Sequence, residues 1–276
     1  ETTRVDDLVR GTVTWENQLL DDFVALKSDG FPTYHLANVV DDHHMEITHV
    51  LRAEEWLSST PRHLLLYDAL GWTPPEFAHL PMILGSDRSK LSKRHGAVST
   101  LEYRDQGYLP QALLNFLVLL GWSLDDHTEI FSCDDLVRHF TLERVTKAGA
   151  IFNAEKLTWM NGVYIRALSA DDLADRLAPY LERPQSESGL PDDATRPVDR
   201  ADLLRAVPLV RERLKTLAEA ADALAFFFSD PVSHENLQTL KGIALDQTRD
   251  ALAATLARCE VLAAWEEDGL EGALRP

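Results

Sequence analysis

The rhythm of hydrophobic and polar positions changes once along this chain. In the first third, short apolar runs alternate with helix-like stretches. Thr12-Val13-Thr14-Trp15 and Phe23-Val24-Ala25-Leu26 read as strands, and Lys27-Ser28-Asp29-Gly30 follows as a turn with the Asp-Gly signal. Residues 31 to 45 predict a helix with Pro32 near its start, where a missing N–H does no harm. Ile47 to Leu51 is β-branched enough for a short buried strand. Ser58 to Leu70 predicts a helix that Ser59 or Thr60 can cap, with Pro61 in its first turn and Gly71 ending it. Phe77 to Leu84 reads as one further strand. Strand, helix, strand, helix, strand is the order of a parallel α/β sheet.

Beyond residue 98 the period becomes helical. Gly107-Tyr108-Leu109-Pro110 precedes a strongly apolar helix over 111 to 120, stopped by Gly121. Shorter helices are expected over 134 to 140 and 153 to 161. Residues 184 to 197 are polar and hold three prolines, the composition of an exposed loop. Leu203, Val207, Val210, Leu214 and Leu217 are spaced four, three, four and three apart, which is one face of an amphipathic helix. Residues 248 to 265 predict another. No internal repeat and no low-complexity tract interrupts the pattern.

Composition narrows the class. A chain of 276 residues suits about two domains, and its 45% hydrophobic content supports real cores. No apolar run approaches the roughly 20 residues that span a bilayer, so a membrane role is not expected. The first residues lack a signal-peptide pattern and an initiator Met, and the chain is expected to begin inside a longer product. Cys133 and Cys259 form no CxxC pair, so neither a disulfide framework nor a cysteine zinc site is expected, and a reducing cytoplasm is the default location. The net charge of −18, spread over both halves, argues against nucleic-acid binding by the whole surface. A local basic face remains open.

One such face is legible. Residues 90 to 96 read Lys-Leu-Ser-Lys-Arg-His-Gly, just after an apolar stretch and the turn Gly85-Ser86-Asp87-Arg88. A short basic loop after a strand suits nucleotide phosphates. Lysine is a compact charge with three rotatable donors, and serine and backbone N–H groups add more. A solvated surface loop is the bland alternative. A second cluster, Asp41, Asp42, His43, His44 and His49, has metal-ligand residue types. Adjacent helical residues do not share a face, however, and there is no HExxH or CxxC, so no metal or zinc site is expected. Trp72, Trp122, Trp159 and Trp265 are expected in cores, as is Phe226-Phe227-Phe228 at a helix end.

Several motifs resemble one family. Tyr34-His35-Leu36-Ala37-Asn38-Val39-Val40-Asp41-Asp42-His43, Val50-Leu51-Arg52-Ala53-Glu54-Glu55-Trp56-Leu57 and Leu157-Thr158-Trp159-Met160-Asn161-Gly162 closely resemble segments of bacterial-type glutamyl-tRNA synthetases. The basic loop resembles that family's form of the KMSKS motif of class I aminoacyl-tRNA synthetases. The likeness covers nearly the whole chain. One departure is large: no His-x-Gly-His occurs, although the family carries a HIGH motif in an N-terminal half of its nucleotide-binding fold. The resemblance therefore implies a fragment, cut at both ends and inactive alone.

The fold so implied is α/β then all-α. Residues 1–97 would be the C-terminal half of a Rossmann-type catalytic domain, 98–166 a helical stem-contact domain, and 167–276 part of a helical anticodon-binding domain. By resemblance, Lys93 and Lys90 are catalytic, stabilising charge on ATP as glutamate attacks the α-phosphate. Leu91, Ser92, Lys93, Arg94 and Glu55 would bind ATP, and Trp56 and Arg94 would contact the tRNA. Tyr34 and Asn38, four apart on one helix face, would line the glutamate pocket. Arg52 follows a predicted strand, at the sheet edge where such folds bind ligands, and can hold a carboxylate bidentately. Its bland alternative is a pair with Glu54 or Glu55. His95 is expected to be a loop residue rather than a base.

The implied reaction is ATP-dependent formation of glutamyl-adenylate and transfer to the 3′ end of the glutamate tRNA. ATP, Mg²⁺ with the ATP, L-glutamate and tRNA would be the partners of a monomer. Glutaminyl-tRNA synthetases share the catalytic motifs but continue into β-barrels, and glutamyl-queuosine tRNA synthetases lack a long C-terminal region. A non-catalytic tRNA-binding fragment is the reading from another class.

Overall fold

The computed structural model describes residues 1–92, 94, 99–229, 244–262 and 266–274. Lys93, His95 and Trp265 lie outside the described residues. The chain divides into two compact units, Glu1–Ser229 and Asp230–Pro276.

The first unit opens with an antiparallel hairpin, β1 (Thr2–Asp7) and β2 (Gly11–Glu16), with Val5 opposite Val13. The strand at 12 to 15 was legible; β1 was not, because Arg4, Asp6 and Asp7 break its apolar pattern. Its burial still alternates, with Thr3, Val5 and Asp7 inward. The expected strand at Phe23–Leu26 does not form. Leu26 makes a lone bridge to Pro32, and Phe23, Val24 and Leu26 are exposed, so β-propensity found no partner strand.

Helix α1 (Tyr34–His44) starts three residues later than expected. Pro32 stands before it in that bridge rather than in its first turn. Next comes a right-sized βαβ unit: β3 (His49–Ala53), a 3₁₀ segment at Glu54–Ser59, α2 (Thr60–Leu70) and β4 (Glu76–Leu80). β3 and β4 run parallel, with Arg52 beside His79. The strand is shifted two residues from its expected place. It is also not buried, since His49 is exposed and Leu51 is 47% exposed. Gly71 ends α2 in the left-handed conformation, as expected. Neither Ser59 nor Thr60 caps α2 with its side chain; the Thr60 hydroxyl is used elsewhere. The single strand expected over 77 to 84 is broken at Pro81, which has no N–H for a ladder. Its second part, β5 (Ile83–Leu84), pairs in parallel with β6 (Ala150–Ile151) instead. Among the described residues the expected parallel α/β sheet is therefore two separate parallel pairs, β3–β4 and β5–β6, beside the antiparallel β1–β2 hairpin.

The rest of the unit is helical: α3 (Thr100–Asp105), α4 (Pro110–Val118), α5 (Cys133–His139), α6 (Ala154–Ala167), α7 (Ala170–Leu181), α8 (Arg200–Val210) and α9 (Ala220–Phe228). Caps explain several starts. Ser132 and Asp135 form a reciprocal capping box for α5, while Asn153 and Ser169 cap α6 and α7. The polar stretch at 184 to 197 is a loop with one 3₁₀ turn, as its prolines predicted. One amphipathic helix was expected through Leu217, but α8 ends at Val210. Leu214 and Leu217 stay buried from the turns that follow. These helices enclose a core built on Leu109, Ile165, Leu173, Leu177, Leu203, Val207 and Leu224. Trp122 is buried with Phe131 and Leu136. Trp159, at 48%, and Phe226 and Phe227 are exposed, against expectation. Their side chains fall on helix faces turned from that core, and an aromatic residue is not forced inside by type alone.

The second unit contains α10 (Leu245–Glu260) and α11 (Glu267–Leu274). Among the described residues no helix is long and apolar enough to cross a membrane.

Candidate functional site

The richest polar cluster lies at the C-terminal end of β3, where Arg52 is half-buried. Cross-strand neighbours of a parallel pair project to the same face, and register sets Arg52 beside His79. The Arg52 Nε–H donates to His79 Nε2 at 3.0 Å. Nη2 donates to Thr60 Oγ1 at 3.0 Å and to the Trp56 carbonyl at 3.3 Å. Nη1 faces His63 Nδ1 at 3.4 Å. The Tyr34 hydroxyl is a further hydrogen-bond partner. Burial pulls the guanidinium below its ordinary value, while Tyr34, Asp42 and Asp7 hold it up.

Behind His79 lies Asp7. Its Oδ2 is 2.5 Å from His79 Nδ1, and neither side chain is exposed. Burial alone would raise the Asp7 carboxyl. Hydrogen bonds from the Arg10, His79 and Val9 backbone N–H groups and the His79 ring reverse this and hold it below the usual range. Desolvation lowers His79 despite its carboxylate partner. Burial, with Arg52 and the neighbouring imidazoles, drives His63 down to about 3. Arg52 can only donate, so His63 Nδ1 accepts and its Nε2–H points to His35 Nδ1 at 2.9 Å. His35 is also lowered, by burial and then by Arg62 and Arg52. The imidazoles are thus neutral, and hydrogen bonds run outward from one cation.

The guanidinium has two unlike sides. Toward Asp7 its partners are buried. Toward Tyr34 and Trp56 they are exposed by 50% and 38%, and those two rings lie 5.0 Å apart. Asn38, one turn along α1 from Tyr34, donates to Asp42 Oδ2 at 3.1 Å. Burial raises the Asp42 carboxyl, with Arg52 and Asn38 opposing. The structure thus gathers Tyr34, Arg52 and Trp56, with Asn38 a turn away on the same helix. Arg52 pairs with neither neighbouring carboxylate. Glu54 binds Arg10 at 2.5 Å and accepts from the Met82 N–H, while Glu55 pairs with Lys90.

That Lys90–Glu55 pair ties the basic loop to the 3₁₀ segment after β3. The loop is a tight turn: Gly85 N–H donates to the Ser89 carbonyl, and Leu91 N–H to the Ile83 carbonyl. Arg94 reaches back to Ser89 Oγ at 2.7 Å and to Asp87. Leu91 and Arg94 line a cleft of about 520 Å³ with Gly85, Ser86 and Asn153. His43 stacks on Trp72 with ring centroids 3.9 Å apart. Among the described residues no group of three or more His, Cys, Asp or Glu is arranged to hold a metal ion.

Sequence reasoning missed Asp7, Thr60, His63 and His79. His79 carried a faint signal, a lone polar residue inside Phe77-Ala78-His79-Leu80. Asp7 carried none, because its partner is 72 residues away.

Two family profiles match: "tRNA synthetases class I (E and Q), catalytic domain" over residues 1–159, and "Anticodon binding domain" over residues 172–276. A glutamate–tRNA ligase of Dehalococcoides mccartyi (strain ATCC BAA-2266 / KCTC 15142 / 195) is 56% identical over 274 residues, which is 98% of this chain and 55% of that protein. One of Roseiflexus castenholzii is 47% identical over 277 residues, covering 99% and 54%. The chain therefore spans about half the length of the curated relatives it matches. A crystal structure of a glutamate tRNA ligase from Elizabethkingia meningosepticum, in complex with its amino acid, superposes with a TM-score of 0.78 at 34% identity, over 99% of this chain and 56% of that one. The order of the motifs, the βαβ unit bearing Arg52 and these matches agree: the chain belongs to the class I tRNA synthetases of the E and Q family, catalytic and anticodon-binding regions included.

Proposed function

We propose that this chain works as part of a glutamate–tRNA ligase, which joins glutamate to ATP as glutamyl-adenylate, releases pyrophosphate, and passes the glutamyl group to the tRNA terminal ribose. The observation that carries the reading is the half-buried Arg52 guanidinium, offered toward Tyr34 and Trp56 at the end of a parallel strand. Arg52 would receive a glutamate carboxylate there, displacing a neutral partner on its outer side. Tyr34 and Asn38 would line the same pocket. Lys90, Lys93, Leu91, Ser92, Arg94 and Glu55 would serve ATP, with Mg²⁺ arriving on the phosphates. Trp56 and Arg94 would meet the tRNA acceptor end.

Residues 1–97 would then complete a nucleotide-binding fold, 98–166 would contact the tRNA stem, and 167–276 would belong to the anticodon-binding helices. The enzyme would act as a cytoplasmic monomer. Recognition of the tRNA would rest on shape, phosphates and splayed bases.

The test is glutamate-dependent ATP–pyrophosphate exchange, with tRNA present, in the protein of full family length that contains this segment. Exchange is expected. Lys93→Ala should lower kcat by ~10² or more, the scale of losing one key charge donor. Arg52→Ala should raise KM for glutamate and not for ATP. Absence of exchange with glutamate would overturn the reading. For this chain by itself, preferential binding of glutamate tRNA over an unrelated tRNA, weakening with salt, is expected.

A further inference from the structure

Arg52 sits on a strand whose neighbour Leu51 is 47% exposed, yet its guanidinium is held from one side by buried groups. The grip begins at His79. An imidazole can present either a lone pair or an N–H, and only the lone pair can accept the Arg52 Nε–H at 3.0 Å. The other tautomer would set an N–H against a cation. What decides is Asp7, whose Oδ2 is 2.5 Å from Nδ1 and can only accept. Asp7 itself cannot swing, because Oδ1 takes the Val9 and Arg10 N–H groups at 3.0 and 2.8 Å, and both oxygens take the His79 N–H at 3.2 and 3.1 Å. The constraint thus passes in one line from the end of β1, through β4, to the end of β3.

We propose that Asp7 and His79 are positioning residues for the substrate carboxylate: Asp7 holds His79 in the Nδ1–H tautomer, and the Nε2 lone pair this leaves aims the Arg52 guanidinium at its ligand. The inference rests on the reading of Arg52 as the carboxylate receptor. Burying a carboxylate and an imidazole in place of apolar side chains is not how a fold gains stability. It is how a functional side chain is held in one orientation, as partners behind a ligating group do at metal and catalytic sites.

Nitrogen-15 NMR of the histidine rings in the unaltered chain at neutral pH is the first test. His79 should show a protonated Nδ1 and a bare Nε2; the opposite tautomer would overturn the proposal. The second is glutamate-dependent ATP–pyrophosphate exchange in the protein of full family length. His79→Leu should raise KM for glutamate about tenfold or more, the usual scale for such supporting partners, and leave KM for ATP unchanged. His79→Gln, which keeps an acceptor oxygen toward Arg52, should recover much of the loss. Asp7→Asn should fall between. If His79→Leu melts like the parent and keeps its glutamate KM while Arg52→Ala raises it, the positioning role is wrong and the reading of Arg52 stands. If Arg52→Ala leaves glutamate KM unchanged, that reading itself has failed. Where a variant does not fold, the tautomer in the unaltered chain decides.

Discussion

The α/β part around Arg52 and the helical part after residue 98 bury polarity in opposite ways. In the helical part the two fully buried asparagines are neutral, and each ties loops together. Asn161 Oδ1 accepts from the Leu109 N–H, and its Nδ2 donates to the carbonyls of Lys215 and Gly107. Asn115 accepts from the Phe131 N–H and the Tyr164 hydroxyl and donates to the Glu129 carbonyl. Around them the interior is apolar, aliphatic and aromatic together. In the α/β part Asp7, Thr60, His63 and His79 are buried and gathered about a guanidinium, apart from Thr3, whose hydroxyl donates to Asn17 Oδ1. A neutral amide whose bonds are all made costs little and fixes a turn. A buried charge network costs desolvation and fixes an orientation. The first arrangement serves stability; the second, in the proposed function, serves a ligand.

The sharpest way to break the helical side is at Gly107. Its φ is +87°, and an added Cβ would stand 2.4 Å from the Ala218 backbone nitrogen and 2.6 Å from that of Leu217. Both are backbone atoms, and Leu217 N–H already bonds the Gly107 carbonyl. Gly107→Ala should therefore cost about 3 kcal/mol or more, read as a fall in the denaturant midpoint. A midpoint within error of the parent would show that the turn relaxes freely.

Next is Asn161→Ala, which removes the side-chain partners of the buried Leu109 N–H and of the Lys215 carbonyl, while the Gly107 carbonyl keeps the Leu217 N–H. About 2–3 kcal/mol is expected, from the cost of unmade buried hydrogen bonds. Little loss in a urea titration would mean the loops are held by packing alone.

The α/β side should instead respond to pH. His63 is buried and has a native pKa of about 3 against an ordinary 6.5. Between these values the unfolded chain binds more protons, so stability is lost as pH falls from 6.5 toward 3, by at most about 1.4 kcal/mol per unit. The depressed Asp7 carboxyl has the same sign, losing its contribution as pH falls through its native value. Urea midpoints at several pH values should fall less steeply for His63→Gln than for the parent. Equal slopes would assign the acid sensitivity to other groups.

The smallest effect belongs to Lys90. Its pair with Glu55 is exposed by 60% and 37%, and such surface pairs contribute under about 1 kcal/mol. Lys90→Met should leave the melting temperature unchanged while lowering adenylate formation. A clear drop in melting temperature would make the pair structural and blur the contrast between the two parts.

Much of this was legible in the chain. Although α4 ends at Val118, before the Gly121 expected to stop it, the helical period after residue 98, Gly71 at the end of α2, the loop at 184 to 197 and the βαβ order all came from local rules of periodicity and capping. So did the common helix face of Tyr34 and Asn38. The errors have physical causes too. Phe23–Leu26 has strand propensity but no partner to pair with, and Pro81 splits a run that hydrophobicity alone reads as one strand. Trp159 and Phe226 are aromatic, but the face they occupy is not the one that packs.

Sequence by itself determined the class of elements, the basic loop and the family motifs, because helix period, turn chemistry and motif spacing are written between near neighbours. Only the tertiary structure decided what surrounds Arg52. Its partners His79, His63 and Thr60 lie 27, 11 and 8 residues away, and Asp7 acts on it through His79. Which nitrogen of a histidine carries the proton, and where a guanidinium points, depend on distance and burial, and these exist only once the strands have paired.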